Sequence, residues 1–115
     1  MKSWIAALFF LAACTSENRD TQAVVSPGQA LLQSKGCTAC HSINGQPGVG
    51  PTFKGLNGRR EVLADGTAIT VDEAYVRESI RTPLAKVVRG FTPSMPAVPL
   101  TEDEANTIVA YILSL

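Results

Sequence analysis

A Cys-x-x-Cys-His motif, Cys37-Thr-Ala-Cys40-His41, constrains this chain more than any other feature of its sequence. It holds two of the three cysteines and the only histidine among the 115 residues. Five consecutive residues therefore carry three side chains that can bind a metal or form covalent bonds. The chain around the motif must fold so that these side chains reach their partner.

The N-terminal sequence indicates which of the three cysteines can take part in a binding site. Residues 1–13 hold Lys2 followed by an apolar run that is too short to span a bilayer, as in a secretory signal. Leu11-Ala12-Ala13-Cys14 looks like a bacterial lipobox, which predicts a lipoprotein signal peptide that is removed and lipidation of Cys14. The alternative is an ordinary signal peptide with an incidental cysteine. Residues 14–26 are polar without an apolar period and are interpreted as the lipidated cysteine and a flexible tether.

Three kinds of site use a Cys-x-x-Cys pair. A redox dithiol is expected near a βαβ pattern, and this sequence has no parallel-strand pattern. Structural zinc needs four ligands, and with Cys14 excluded only Cys37, Cys40 and His41 remain. The interpretation we favour is covalent haem attachment, with Cys37 and Cys40 forming two thioethers and His41 binding the iron.

The part of the chain that carries this motif, residues 27–115, contains three helix-start signals. A Ser26 cap with Pro27 predicts a first helix from Pro27 to about Cys40. Thr-x-x-Glu capping boxes at Thr70 and Thr101 predict a second helix from Val71 to about Arg81 and a third from Glu102 to near the end. A short β-hairpin is predicted at 61–70, around the turn Asp65-Gly66. Much of the remainder is Gly- and Pro-rich loop, which needs a large apolar cofactor to complete the core.

Met95 is the candidate for the second axial ligand of the iron. Apart from the initiator it is the only methionine, and it lies in the stiff segment Pro93-Ser94-Met95-Pro96. A lone methionine is often a core filler, but this one is not on an apolar helical stripe. His/Met ligation raises the reduction potential of a haem.

The combined motifs identify a family resemblance. "GCTACHSINGQPGVGPTFKGLNGR", "LADGTAITVDEAYVRESIRTPLAKVVRGFTPSMP" and "LTEDEANTIVAYILSL" resemble a class I cytochrome c, most closely the cytochrome domain fused to subunit II of caa3-type oxidases. This resemblance implies an all-α fold of three main helices and long loops around one haem c. The transmembrane helices and copper domain of that subunit have no counterpart here, so we expect a free-standing, lipid-anchored relative.

The resemblance also implies roles for individual residues. The first and last helices should cross at Gly28 and Tyr111, and the Pro51 carbonyl should accept a hydrogen bond from His41. Arg59 is expected to pair with a haem propionate. The expected cofactor-binding residues are Cys37, Cys40, His41, Pro51, Phe53, Leu56, Arg59, Tyr75 and Met95, of which His41 and Met95 are the metal ligands. Phe53 and Leu56 are equally compatible with ordinary core positions.

These features predict a monomeric electron carrier rather than an enzyme. Its expected partners are redox proteins, such as a quinol-oxidising donor and a terminal oxidase, on the periplasmic or outer face of a membrane. A net charge of zero gives no indication of nucleic-acid binding. Basic residues without acids in 35–60 and 81–100 predict a basic rim near the haem edge. A peroxidase or a gas sensor is the alternative, and either would need an open iron position.

Overall fold

The computed structural model describes residues 23–115, so the signal segment 1–13, Cys14 and most of the tether lie outside the described residues. The elements are α1 (Pro27–Ser34), a 3-10 turn (Cys37–Ala39), β1 (Arg60–Val62), β2 (Ala68–Thr70), α2 (Glu73–Arg81) and α3 (Glu102–Leu113). Three helices and one short hairpin confirm the predicted fold class. No helix within 23–115 has the length and apolar character needed to cross a membrane.

Helix α1 begins as predicted but ends earlier. The Ser26 hydroxyl accepts a hydrogen bond from the Gln29 N–H at 3.2 Å, which caps the helix. The predicted extension to Cys40 is wrong, because the helix ends at Ser34 and Gly36 adopts a left-handed conformation with φ of 79°. The chain then re-enters a separate 3-10 turn that carries Cys37.

Helix α2 begins two residues later than predicted. Thr70 does not cap it, because Thr70 pairs with Arg60 as the last residue of β2. The Asp72 carboxylate caps the helix instead, accepting a hydrogen bond from the Tyr75 N–H at 2.8 Å. The predicted end at Arg81 is confirmed.

The capping box of α3 is confirmed. The Thr101 hydroxyl accepts from the Glu104 N–H at 3.2 Å, and the Glu104 carboxylate accepts from the Thr101 N–H at 2.9 Å. Two otherwise unpaired backbone donors are thereby satisfied at the start of the helix.

The hairpin anchors a later part of the chain. Strands β1 and β2 are antiparallel, with Glu61 opposite Ile69, and Gly66 supplies the positive φ of the turn. The Ala64 N–H donates to the Val87 carbonyl at 2.8 Å, and the Arg89 N–H donates to the Val62 carbonyl at 2.8 Å. The start of the proline-rich region is therefore fixed on the hairpin.

The core lies where α1 crosses α3. A Cβ built on Gly28 would lie 2.8 Å from Tyr111 Cγ and 3.2 Å from the Thr107 carbonyl oxygen, so the helices approach as closely as glycine permits. Leu32 and Ile108 are almost fully buried there. Burial of each such side chain stabilises the fold by roughly 1.5–3 kcal/mol.

Candidate haem site

A single large cavity collects nearly all of the predicted site residues. It lies between the segment after α1, helix α2 and the proline-rich region before α3, and its lining is mostly apolar. Of the predicted cofactor-binding residues, those bordering it are Cys37, Cys40, His41, Pro51, Phe53, Leu56, Tyr75 and Met95. Arg59 is not among the lining residues.

The two cysteines are available for covalent attachment. Both are free thiols and half-buried at the cavity wall. The His41 N–H donates to the Cys37 carbonyl at 3.0 Å, so one tight turn carries all three side chains. Burial raises the pKa of the Cys37 thiol, opposed in part by a backbone hydrogen bond, and the thiol is therefore neutral near pH 7.

His41 is held in one tautomer by the backbone. Its Nδ1 lies 2.7 Å from the Pro51 carbonyl oxygen, the hydrogen bond that the sequence led us to expect. Because the carbonyl can only accept, Nδ1 carries the proton and Nε2 keeps its lone pair for a metal. Burial lowers the pKa of His41, although the hydrogen bond to Pro51 opposes this shift, so the neutral ring is favoured.

The imidazole is also fixed by close packing. The Phe53 ring stacks on it with centroids 4.5 Å apart and planes 10° from parallel. A Cβ on Gly50 would lie 2.7 Å from Nδ1, so only glycine fits beside the ring. The Gly50 N–H donates to the Cys40 carbonyl at 2.9 Å, which ties this contact back to the motif.

The proximal loop, residues 41–53, is cross-linked by further hydrogen bonds. The Phe53 N–H donates to the Ser42 carbonyl at 2.8 Å. The Ser42 hydroxyl donates to the Thr52 hydroxyl at 2.8 Å, and the Thr52 hydroxyl donates to the Ser42 carbonyl at 3.1 Å. Each end of the loop thus holds the other, and the orientation of His41 depends on both.

Met95 lies in a segment that, unlike the proximal loop, is rich in proline and poor in main-chain hydrogen bonds. The Met segment, residues 93–100, contains Pro93, Pro96 and Pro99. Within residues 23–115, its only main-chain hydrogen bond is the one from the Ser94 N–H to the Thr92 carbonyl, at 2.8 Å. The half-buried Met95 borders the same cavity as His41, and its role as an iron ligand stays a prediction.

Arg59 links two parts of the site without bordering the cavity. Its Nε lies 2.6 Å from a Glu61 carboxylate oxygen, and its Nη2 donates to the Thr52 carbonyl at 3.1 Å. The guanidinium therefore ties β1 to the proximal loop. Its pairing with a propionate stays a prediction.

The cavity has lining residues that sequence reasoning missed. Val49 and Leu84 border it although each is 60% exposed, so they mark its mouth. Ser79 also borders it, and its hydroxyl is buried beside the Tyr75 side chain. The spacing of Tyr75 and Ser79, four residues apart on α2, was the available signal, since such positions share a helix face.

Most of the predicted basic rim is neutralised by ion pairs. Lys35 pairs with Glu104 at 2.8 Å, and Lys86 pairs with Glu78 at 2.5 Å. Arg59 and Arg81 are paired in the same way, with Glu61 and Glu102. Within 23–115, the basic residues of these segments that form no ion pair are Lys54, Arg60 and Arg89. The positive field around the cavity is therefore weaker than the sequence predicts.

These residues fit a haem c better than a zinc ion. Across 23–115, no group of three His, Cys, Asp or Glu side chains is arranged to hold a metal. Two free thiols, a neutral imidazole and a thioether instead border one apolar cavity. This donor set matches two covalent attachments and axial ligation of a large flat cofactor.

Comparison with known proteins identifies the family. The family model described as cytochrome c matches residues 25–115. The chain is 34% identical to cytochrome c-551 of Stutzerimonas stutzeri over 96 residues, with 81% of each chain covered. It is 33% identical to cytochrome c-551 of Ectopseudomonas mendocina, covering 76% of this chain and 96% of that one. With cytochrome c-554 of Methylosinus trichosporium the identity is 33%, over 66% and 64% of the two chains. The chain belongs to the cytochrome c family and is an electron-transfer protein that binds one covalent haem c.

Proposed function

We propose that the protein is a His41/Met95-ligated electron carrier of a respiratory chain, anchored by lipid outside the cytoplasm. The observation that carries the ligand assignment is that Met95 borders the same cavity as His41 and the two cysteines. A thioether ligand favours Fe(II) and raises the reduction potential. The haem supplies a one-electron Fe(III)/Fe(II) couple when bound.

The chain's own residues keep that couple in one environment. Pro51, Gly50 and Phe53 hold the imidazole in place, so it need not reorient when the charge changes. The lining of the cavity is largely apolar and would cover most of a bound haem. The exposed Val49 and Leu84 at the mouth are the proposed contact point for redox partners.

The paired charges near the cavity and the proposed lipid anchor bear on how the protein meets its redox partners. Most basic side chains near the cavity form ion pairs with glutamates. We therefore expect the rates of association with partners to depend only weakly on ionic strength. The resemblance to the cytochrome domain of oxidase subunit II supports a terminal oxidase as acceptor and a quinol-oxidising complex as donor. The residues from Cys14 to Ser26 would give the domain a reach of roughly 20 Å above the membrane.

Optical spectroscopy of the haem-loaded protein tests the ligand assignment. Wild type should be low-spin, with the weak far-red charge-transfer band of a Met-ligated ferric haem, and should bind carbon monoxide slowly when reduced. Met95→Ala should lose the band, lower the potential and bind carbon monoxide readily. Val98→Ala is the matched control, because Val98 lies in the same segment and borders the same cavity. A Met95→Ala spectrum identical to wild type would overturn the assignment.

Cell fractionation tests the anchor separately. The full-length protein should pellet with membranes, and Cys14→Ser should release the haem-loaded protein to the soluble exported fraction. Equal membrane association of both forms would contradict lipidation at Cys14 and leave the ligand assignment untouched.

A further inference from the structure

The Thr52 hydroxyl carries more hydrogen bonds than any other hydroxyl of residues 23–115. It accepts from the Ser42 hydroxyl at 2.8 Å and from the Gly45 N–H at 3.1 Å, and it donates to the Ser42 carbonyl at 3.1 Å. The Lys54 N–H lies slightly further away, at 3.3 Å. A hydroxyl has one proton and two lone pairs, so the bonding capacity of this oxygen is fully used. One side chain therefore ties together both ends of the proximal loop.

The main chain of Thr52 is held from the opposite side. The Arg59 Nη2 donates to the Thr52 carbonyl at 3.1 Å, and the Arg59 Nε lies 2.6 Å from a carboxylate oxygen of Glu61 in β1. The side chain of Thr52 is also β-branched, which restricts its rotation about χ1. With its hydroxyl bonded to the loop and its carbonyl bonded through Arg59 to the hairpin, Thr52 is fixed in position.

Thr52 shares a peptide unit with the carbonyl that orients His41. The Pro51 oxygen lies 2.7 Å from His41 Nδ1, and the peptide unit from Pro51 to Thr52 is planar. The ring of Pro51 restricts its own φ, and the hydrogen bonds of Thr52 restrict rotation on the other side of the plane. The position of Thr52 therefore sets the direction in which the Pro51 carbonyl points, and with it the length and angle of the hydrogen bond to His41.

The strength of that hydrogen bond reaches the metal through the imidazole ring. A ligating histidine whose other N–H donates to a carbonyl is a more basic ligand. A more basic ligand stabilises Fe(III) relative to Fe(II) and so lowers the reduction potential. We propose that Thr52 is a positioning residue that strengthens the bond between Pro51 and His41 and thereby lowers the potential. The inference rests on the proposed ligation of iron by His41 and is independent of Met95.

Four variants of the haem-loaded protein isolate the contribution of the hydroxyl. Thr52→Val removes it but keeps the branched shape and the carbonyl that bonds to Arg59. Thr52→Ser restores a hydroxyl, and Ser42→Ala is a milder change that removes one of its partners. Thr107→Val is the matched control, because Thr107 is also half-buried and its hydroxyl donates to the Asp103 carbonyl at 2.8 Å. Thr107 is not among the described residues that line the cavity.

The hydrogen bond of His41 can be observed directly by NMR. His41 is the only histidine of the chain, so labelling histidine with nitrogen-15 gives the signals of a single imidazole. In the reduced Thr52→Val protein, the Nδ1–H proton signal should move upfield and its exchange with solvent should accelerate roughly tenfold. The equilibrium constant for reduction of the iron should rise roughly threefold, which is about 28 mV at 59 mV per tenfold change.

The pattern across the variants decides the proposal. These changes in Thr52→Val, smaller ones of the same sign in Ser42→Ala, and values near wild type in Thr52→Ser and Thr107→Val would support it. A Thr52→Val protein that is less stable in denaturant but keeps the wild-type Nδ1–H signal and potential would overturn it, because the hydroxyl would then serve only to hold the loop. Equal changes in Thr107→Val would overturn it as well.

Failure of His41 ligation would be visible before any variant is compared. The wild-type imidazole would then lack the chemical shifts of an iron-bound ring, and both the ligand assignment and the role of Thr52 would be overturned. A wild-type spectrum with an iron-bound imidazole, together with unchanged signals in Thr52→Val, would overturn the role of Thr52 alone.

Discussion

The proximal loop and the Met segment face one cavity but are held by different means. The proximal loop, residues 41–53, is joined by hydrogen bonds such as those from Gly50 to Cys40 and from Phe53 to Ser42. The Met segment, residues 93–100, relies on prolines and on its attachments at either end. The folded chain itself therefore fixes His41, whereas main-chain hydrogen bonds contribute little to the position of Met95.

Amide hydrogen exchange should show the largest contrast between the two segments. The N–H groups of Gly50 and Phe53 are bonded, whereas those of Ala97 and Val98 have no bonded acceptor among the described residues. We expect the protection factors of Gly50 and Phe53 to exceed those of Ala97 and Val98 by roughly a thousandfold or more. The hydrogen bonds of Gly50 and Phe53 should break only when much of the domain unfolds. NMR-detected exchange on the reduced protein measures this, and similar protection in both pairs would remove the distinction.

Gly50→Ala should cause the largest loss of stability. The added Cβ would lie 2.7 Å from His41 Nδ1, so the ring or the loop must shift and the bond to Pro51 weakens. The expected cost is roughly 2–4 kcal/mol of unfolding free energy, from overpacking and the lost hydrogen bond. Denaturant unfolding of the haem-loaded protein measures it. Gln46→Ala, an exposed change in the same loop, is the control and should cost little.

Pro96→Ala should have a smaller effect in the Met segment. Removing the ring gives the unfolded chain more freedom and breaks no hydrogen bond, so the expected loss is about 0.4–1 kcal/mol. Denaturant unfolding and the strength of the far-red Met band should fall together. A loss as large as that of Gly50→Ala would show that the Met segment is as tightly specified as the proximal loop.

The smallest effect on stability is expected at the ion pair that joins the proximal side of the cavity to α3. Lys35, just before the motif, pairs with Glu104, just after the Met segment, at 2.8 Å. The hydrogen bond from Lys35 lowers the pKa of Glu104, with a further contribution from the Thr101 N–H. A carboxyl whose pKa is lower in the folded state stabilises the fold at pH values above its unfolded-state pKa, which is near 4.5 for Glu104. This stabilisation is lost as the pH falls through the folded-state pKa.

Glu104→Gln should therefore be slightly less stable than wild type at neutral pH. The difference should shrink below about pH 4.5 and be screened by salt. Thermal unfolding from pH 3 to 7 tests this, with exposed Asp103→Asn as the control on the same helix. A difference that persists unchanged at low pH would assign the effect to helix capping rather than to the ion pair.

The sequence predicts the parts of the site that depend on residue type, and misses those that depend on distant contacts. The motif at Cys37, the capping box at Thr101 and the hairpin turn are local, so their chemistry can be read directly. The predicted end of α1 and the predicted start of α2 are wrong, because Gly36 adopts a left-handed conformation and Thr70 is part of a strand. The pairing of Lys35 with Glu104 exists only after distant segments meet.

The contact between Gly28 and Tyr111 constrains how this sequence can change over evolutionary time. The nearest atom that a Cβ at position 28 would meet is the Tyr111 Cβ, which every residue except glycine also has, so a smaller side chain at 111 would not make room for it. A lineage that replaces Gly28 must therefore accept a wider helix crossing, whereas Tyr111 can change while position 28 stays glycine. The glycine is expected to persist in relatives that keep this crossing.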